Sequence, residues 1–420
     1  MTEVVAIDVG DTAVPGPSLE EFERARRTVR TVVDTTPMES SRYLSEVLGV
    51  DVWMKCENLQ RTGSYKIRGA YNRLVHLSDE EKARGVVAAS AGNHAQGVAF
   101  AARELGIRAT IFMPIGVALP KLSATRDYGA DVELSGHVVD ETLRAASRFA
   151  EETGAVFIHP FDHPDIVAGQ GTLGLEILEQ QPDVQTIIVP IGGGGLISGV
   201  ASAVKQQAAR LGRTVRIIGV QAANASAYPR SLVNGEPTEI TITPTIADGI
   251  AVSKPGELNF AIVRDTVDEV VTVEDDDIAK ALLVLLERAK LVVEPAGAVS
   301  VAAILAGKIE PIGTTVAILS GGNIDPLVME RIISHGLAAS ERYLKLRIPL
   351  PDRPGQLART AQIVSDSNAN VVEVLHTRHG SGMQISEVEL ELHIETRGPE
   401  HAELVLHNLR EAGFRPRVDF

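Results

Sequence analysis

From about residue 18 to residue 325, short β-rich runs alternate with longer helical stretches, and nothing else constrains the chain as tightly. The runs are VDVWMK, GVVAAS, RATIFMP, DVELSG, AVFIHP, TIIVPIG, VRIIGVQ, EVVTV and TVAILSG. Between them lie helical stretches such as AQGVAFAAREL, VDETLRAASRFAEET and ISGVASAVKQQAARL. SLEEFERARRTVRTVV opens the series behind a Ser cap, with apolar residues at helical spacing. Strands that alternate with helices favour mostly parallel sheets covered on both faces. About nine strands are many for one such sheet. Two lobes with a cleft between them are therefore expected, the smaller one inserted at about 57–160.

The pattern changes after Ile333. SHGLAASER (334–342) reads as a connector. From 343 the order is strand (YLKLRIPL), turn (PDRPG), helix (QLARTAQIVSDS), strand (NVVEVLHTR), strand (SEVELELHIETR) and helix (EHAELVLHNLREAG), with RPRVDF as a closing strand. The expected organisation is a loosely ordered tail (1–17), a body (18–333), a connector (334–342) and an appended βαββα unit (343–420). With 44% hydrophobic and 23% charged residues, the chain has the composition of a globular protein. No apolar run approaches the roughly 20 residues that span a bilayer. The first residues lack the basic start and apolar core of a signal peptide. Cys56 is the single cysteine, so no internal disulfide forms and a cytoplasmic address is the default expectation. A net charge of −15 disfavours nucleic acid and anionic membrane as partners and serves solubility.

Five turns concentrate the chemistry. Gly63-Ser64-Tyr65-Lys66-Ile67-Arg68-Gly69-Ala70 sets a lysine between an aromatic and an apolar residue at the mouth of a helix. Burial disfavours an ammonium, and a neutral amine forms an imine with an aldehyde. Taken singly, Lys66 also reads as a surface lysine at a helix start. Ser90-Ala91-Gly92-Asn93-His94-Ala95-Gln96-Gly97 follows a strand, and small residues there offer backbone N–H groups to a carboxylate or phosphate. Asn93 is able to donate to a phenolic oxygen or to accept from a donor. His94 is a candidate base, with a structural role preferred, because a histidine after a turn often satisfies a backbone carbonyl.

Gly192-Gly193-Gly194-Gly195 lies between a strand and a helix, where glycines let the backbone wrap an anion. It lacks the spacing of a dinucleotide fingerprint and the Lys-Ser or Lys-Thr of a nucleoside-triphosphate loop. A single compact phosphate and a plain flexible turn both remain open. Glu294-Pro295-Ala296-Gly297-Ala298 places one carboxylate at a helix start. Ser320-Gly321-Gly322-Asn323 ends a strand, where open α/β sheets bind ligands. Alone, either of these two turns is an ordinary cap or loop.

In this order, the five segments resemble the fold-type II family of pyridoxal-phosphate enzymes over roughly residues 20–330, and within it the threonine/serine dehydratases and serine racemases. The implied fold class is α/β, a two-lobed body of mostly parallel sheets, with pyridoxal 5'-phosphate as cofactor. The resemblance implies that Lys66 bonds the cofactor and moves the substrate α-proton. Tyr65 would lie against the ring, in a place usually held by phenylalanine, and Asn93 would hydrogen-bond the phenolic oxygen. Ser90, Ala91, Gly92, Asn93 and His94 would surround the substrate carboxylate. Gly192, Gly193, Gly194, Gly195 and Leu196 would cradle the phosphate. Ser320 would hydrogen-bond the pyridine nitrogen, Gly249 would lie near the ring, and Glu294 would help orient it. A neutral serine at the ring nitrogen leaves a weaker electron sink, which suits elimination.

The implied reaction is β-elimination from L-threonine, giving 2-oxobutanoate and ammonia, or from L-serine, giving pyruvate. Serine racemisation and hydroxyaspartate dehydration are the alternatives. Racemases of the family carry a second serine where this chain has Ala91, which ranks dehydratase above racemase. Some relatives bind a divalent cation after a strand like VRIIGV. Here the stretch from Gln221 to Ala227 offers no carboxylate, so no metal is expected.

The unit 343–420 resembles an ACT domain, an α+β, ferredoxin-like, amino-acid-sensing module. Asp352-Arg353-Pro354-Gly355-Gln356-Leu357 matches its strand-to-helix turn. The candidate effector residues are Asp352, Pro354, Gly355, Leu357, Asn368 and Asn370; a dimerisation unit without ligand is the alternative. The resemblance implies a homo-oligomer, a tetramer, modulated by isoleucine, valine or another amino acid. A non-catalytic amino-acid sensor is the reading from another class, and the presence of both Lys66 and the glycine turn argues against it.

Overall fold

The computed structural model describes residues 5–6, 16–378 and 386–419; most of the stretch expected as a tail lies outside them. The chain divides into two units, Met1–Pro326 and Leu327–Phe420. The described strands of the first are β1 (Val5–Ala6), β2 (Met38–Ser40), β3 (Val52–Cys56), β4 (Val86–Ala89), β5 (Ala109–Met113), β6 (Asp131–Leu134), β7 (Val156–Phe157), β8 (Thr186–Pro190), β9 (Arg216–Ala222), β10 (Glu269–Val273) and β11 (Thr315–Leu319). They form two sheets, ordered β1-β10-β9-β8-β11-β3-β2 and β6-β5-β4-β7. Pairing is parallel except at the two edges of the larger sheet, where β1 and β2 run antiparallel to their neighbours. Each of the nine β-rich runs is a strand, five in the larger sheet and four in the smaller. β1 and β2, of two and three residues, are too short to leave a period in the sequence.

Apolar runs are buried end to end in β4, β5, β8 and β11, as in parallel strands with helices on both faces. The larger core gathers Ile187, Val189, Ile197, Ile217, Val270 and Ile318. The smaller gathers Leu74, Ala88, Val98, Ile111 and Met113. Burial of each large aliphatic side chain contributes roughly 1.5–3 kcal/mol. The helix Lys66–Val75 packs on the helix Pro164–Gln180 so closely that a Cβ on Gly169 would stand 2.5 Å from the Arg68 carbonyl oxygen.

A buried ionic cluster joins the same elements. Arg68 donates from Nε and Nη2 to Glu57 at 2.8 Å each, and from Nη2 to Glu176 at 3.0 Å. Lys55 Nζ donates to Glu176 at 2.6 Å. Burial alone would raise the Glu57 carboxyl; Arg68, Lys55 and the Thr36 hydroxyl hold it below its ordinary value instead.

The second unit is one antiparallel sheet of β12 (Tyr343–Pro351), β13 (Asn370–Thr377), β14 (Glu387–Glu395) and β15 (Arg417–Asp419), ordered β13-β14-β12-β15. Its helices are Gln356–Asp366 and Pro399–Glu411. Buried and half-exposed residues alternate along β12 and β14, the pattern of a sheet covered on one face. This is the expected βαββα order with its closing strand. The expected connector at 334–342 is corrected in part. A helix runs from Pro326 to Ala339, over most of that stretch, and all of it after Pro326 belongs to the second unit. Proline opens it at a position where proline is tolerated. Ile332 is buried on its inner side, and Gly336 costs about 1 kcal/mol without breaking the helix.

Candidate active site

Three of the five turns singled out in the sequence follow the carboxyl ends of β4, β8 and β11, where open α/β sheets bind ligands. Direct contacts join them. The Tyr65 N–H donates to the Ser320 carbonyl at 3.2 Å, and Ser64 pairs with Gly321 as an isolated bridge. Lys66 opens its helix and donates from Nζ to the Pro160 carbonyl at 3.1 Å. The neighbouring Phe161 ring fills the space a Cβ on Gly193 would need. A Cβ on Gly192 would stand 3.1 Å from Ile250 Cα, which sets the turn carrying Gly249 against the glycine run. Asn93 Nδ2 donates to Glu294 Oε1 at 2.6 Å. That same oxygen would collide with a Cβ on Gly321 and stand 3.8 Å from one on Gly249. Tyr65, Lys66, Asn93, Gly192–Gly195, Gly249, Glu294 and Ser320 thus surround one site.

Electrostatics sort the titratable groups. Burial pushes the Lys66 amine down to about 8, with Glu294 opposing. Its Nζ lies 5.4 Å from the centre of the Tyr65 ring. Burial pushes the Glu294 carboxyl up to about 7, with Lys121, Asn93 and Lys66 drawing it down and Asp248 adding to the rise. His94 donates from Nε2 to the Ile158 carbonyl at 2.9 Å, and burial and Lys66 depress its imidazole to about 3. A histidine neutral at working pH and tied to a carbonyl matches the structural role preferred for it.

The glycine run has a demonstrable need for glycine. Gly194 sits at φ +102° before the helix Gly195–Arg210, and a side chain there would strike the Tyr228 hydroxyl. No side chain caps that helix, nor the helix Asn93–Leu105 that follows Gly92. Both first turns therefore present N–H groups to an anion. Leu196 is buried beneath the first of these turns. In the 90–94 turn, the Ser90 hydroxyl accepts from the Gly92 N–H at 3.1 Å and fixes its shape.

Several contacts at the site leave no trace in the sequence. Asn323 Nδ2 donates to Asn93 Oδ1 at 2.9 Å and to Thr62 O at 2.7 Å, which orients the Asn93 amide toward Glu294. Phe161, Lys121 and Asp248 likewise reach the site only through the fold. The buried Gln221 amide takes the Tyr228 N–H on Oε1 at 2.9 Å and reaches the Ala225 carbonyl from Nε2 at 3.4 Å. Among the described residues, no group of three His, Cys, Asp or Glu is placed to hold a metal, and no helix is long and apolar enough to cross a membrane.

In the second unit, Gly355 opens the helix Gln356–Asp366 at φ +88°, Pro354 precedes it, and Leu357 is 40% exposed. Asp352 accepts from Arg378 Nε at 3.4 Å. Asn368 adopts φ +57°, and Asn370 Nδ2 donates to Glu395 at 3.2 Å. The two asparagines follow the far end of that helix, about 16 Å along its axis from Gly355. Within one chain the six candidate effector residues form two groups.

A desolvated lysine amine gathered with two uncapped helix starts, which follow the carboxyl ends of parallel strands, suits an enzyme that holds a phosphorylated aldehyde cofactor. The chain belongs to the pyridoxal-phosphate dependent enzyme family, which it matches over residues 29–321. It is 49% identical to the L-threonine ammonia-lyase of Thermotoga maritima over 402 residues, 96% of this chain and 99% of that protein. Among solved structures, it resembles the processed form of threonine deaminase isoform 2 from Solanum lycopersicum, with a TM-score of 0.72 and 37% identity over 79% of this chain and 98% of that one. It also resembles maize serine racemase, with a TM-score of 0.71 and 36% identity over 77% of this chain and 98% of that one.

The residues present fit pyridoxal phosphate. The amine of Lys66 suits its aldehyde, the uncapped helix after Gly194 suits its phosphate, and Ser64 Oγ is a buried polar atom without a protein partner beside them.

Proposed function

We propose that the chain deaminates L-threonine to 2-oxobutanoate and ammonia, and L-serine to pyruvate and ammonia, by β-elimination. The observation that carries this reading is the 49% identity to an L-threonine ammonia-lyase across 96% of the chain, which takes in the second unit as well as the body. Bound pyridoxal phosphate supplies the electron sink that makes the substrate α-proton acidic. The backbone of Gly192–Gly195, with Leu196, would hold its phosphate, Lys66 its aldehyde carbon, Asn93 its phenolic oxygen and Ser320 its ring nitrogen, with Tyr65 and Gly249 beside the ring and Glu294 orienting Asn93. The 90–94 turn, with Ser90, Ala91, Gly92, Asn93 and His94, binds the substrate carboxylate. That fixes the α-carbon near Lys66. An amine whose pKa lies at about 8 is neutral often enough to accept the α-proton on Nζ, and the resulting ammonium can pass that proton to the departing β-hydroxyl. The β-hydroxyl leaves as water, and addition of water releases ammonia.

The second unit, in this reading, senses an amino acid such as isoleucine or valine in an assembly of four chains in the cytoplasm. The Gly355 turn supports it, because its helix start is uncapped. The likeness to maize serine racemase keeps racemisation in view as a second activity; Ala91 in place of a serine argues against it.

Purified protein with pyridoxal phosphate should release 2-oxobutanoate from L-threonine, and added isoleucine or valine should change the rate. Lys66→Ala should lose both turnover and the visible absorbance of bound cofactor. Conversion of L-serine to D-serine, with little pyruvate, would instead make the chain a racemase.

A further inference from the structure

One charged pair at the site has no task in the reaction above. Lys121, in the helix Leu119–Asp127 of the smaller lobe, donates from Nζ to Asp248 Oδ2 at 3.3 Å. Asp248 opens the 3-10 turn Asp248–Ile250 of the larger lobe, immediately before Gly249. The Lys121 side chain is 17% exposed and that of Asp248 is 66% exposed. A long pair with one well-solvated partner adds little stability. Stability therefore does not explain why a lysine is held in this cleft.

Its position does. A Cβ on Gly92 would stand 3.7 Å from Lys121 Nζ, so the ammonium lies directly over the turn that precedes the helix Asn93–Leu105. The N–H groups of that turn offer only partial charge to a carboxylate. An ammonium offers a full charge and three donors, of which Asp248 occupies one. The field of Lys121 already reaches the site, since it is the strongest of the groups drawing the Glu294 carboxyl down against burial.

We propose that Lys121 is a substrate-binding residue: its ammonium takes the α-carboxylate of the amino acid over Gly92, and Asp248 holds it in place until the amino acid arrives. The inference rests on the 90–94 turn being the carboxylate site. Lys121 then faces two carboxylates, one from the substrate and one from the larger lobe. Bound amino acid thereby joins the two sides of the cleft, and Lys121 offsets the repulsion that Asp248 exerts on an arriving carboxylate.

The test is binding to the holoenzyme, by calorimetry and by the change in cofactor absorbance, for L-threonine and for L-threonine amide, which lacks the carboxylate. Lys121→Met should weaken L-threonine binding on the order of tenfold or more, the loss expected for a charge-assisted hydrogen bond. It should leave the amide unchanged. Lys121→Arg should restore most of the affinity, and Asp248→Asn should bind L-threonine no more weakly than wild type. If Lys121 were only a bridge between lobes, Lys121→Met and Asp248→Asn would weaken both ligands alike, and that outcome overturns the proposal. Unchanged L-threonine binding in Lys121→Met overturns it too. Should Lys121→Met not fold, Lys121→Arg and Asp248→Asn decide the question by the same comparison. Wild-type protein that binds L-threonine through Lys121 but releases no 2-oxobutanoate would sink the deamination reading and leave this one standing.

Discussion

At the scale of single residues, Glu294 has the most unusual chemistry. It is 5% exposed, and burial carries its carboxyl from 4.5 to about 7. The groups facing it are Asn93, Lys66 and Lys121, which draw it down, and Asp248, which adds to the rise. Between those two pH values the folded protein keeps a proton that the unfolded chain has released. Its contribution to stability is therefore complete below about pH 4.5, declines as pH rises to about 7, and stays low above that. The gap corresponds to roughly 3 kcal/mol at most. Glu294→Gln has no charge to bury and still accepts from Asn93. In the cofactor-free protein it should match wild type at about pH 5 and gain up to roughly 3 kcal/mol over it at about pH 8, read by urea unfolding at each pH. The same difference at both pH values would mean that Glu294 ionises as an ordinary surface carboxylate. The sequence marks Glu294 as a candidate because it stands at a helix start. Its raised pKa is not legible there, because Asn93, Lys121 and Asp248 are distant in the chain. Lys121 belongs to no local pattern, and Asn323 lies in a turn that the sequence marks without showing its reach to Asn93; each acts through a contact that only the fold creates.

At the scale of elements, the buried cluster around Arg68 holds the lysine-bearing helix to the rest of the body. Arg68 is 1% exposed and Glu57 is fully buried, so neither charge can fall back on water. Two cations answer two carboxylates, and removal of one leaves a buried charge uncompensated. Arg68→Met should cost about 3–5 kcal/mol in denaturant unfolding. The bidentate pair of Arg26 with Glu179, whose side chains are 39% and 58% exposed, is the control. Arg26→Met should cost under about 1 kcal/mol. Equal costs would mean that water penetrates the cluster. Strands such as β5 and β11 announce themselves in the sequence because an apolar β-branched run is both their local preference and their tertiary fate. Arg68 announces nothing. A charged residue in a helix is ordinarily a surface residue, and only the approach of Glu57 and Glu176 makes burial affordable. The helix Pro326–Ala339 is the opposite case: serine, histidine and glycine in succession are weak helix formers, and burial of Ile332 goes with the helix there.

At the scale of the molecule, the chain is two units with separate cores, and this bears on which of them catalysis needs. Leu346, Ile348, Leu390, Leu392 and Leu409 close a core made wholly of residues from the second unit. Lys66, Asn93, Gly194, Glu294 and Ser320 all belong to the first. Damage confined to the second core should therefore leave cofactor binding intact. Leu392 is fully buried at the middle of β14, and its replacement by alanine removes contacts and leaves a cavity, at about 2–5 kcal/mol. In calorimetry of the holoenzyme, Leu392→Ala should lower the transition of the second unit and leave the visible absorbance of bound cofactor unchanged up to that temperature. Basal 2-oxobutanoate release should persist, and the response to isoleucine or valine should weaken. Loss of cofactor absorbance in step with the second unit would show the opposite: that the second unit is part of what keeps the active site folded, and that an amino acid bound there would act through stability as much as through binding.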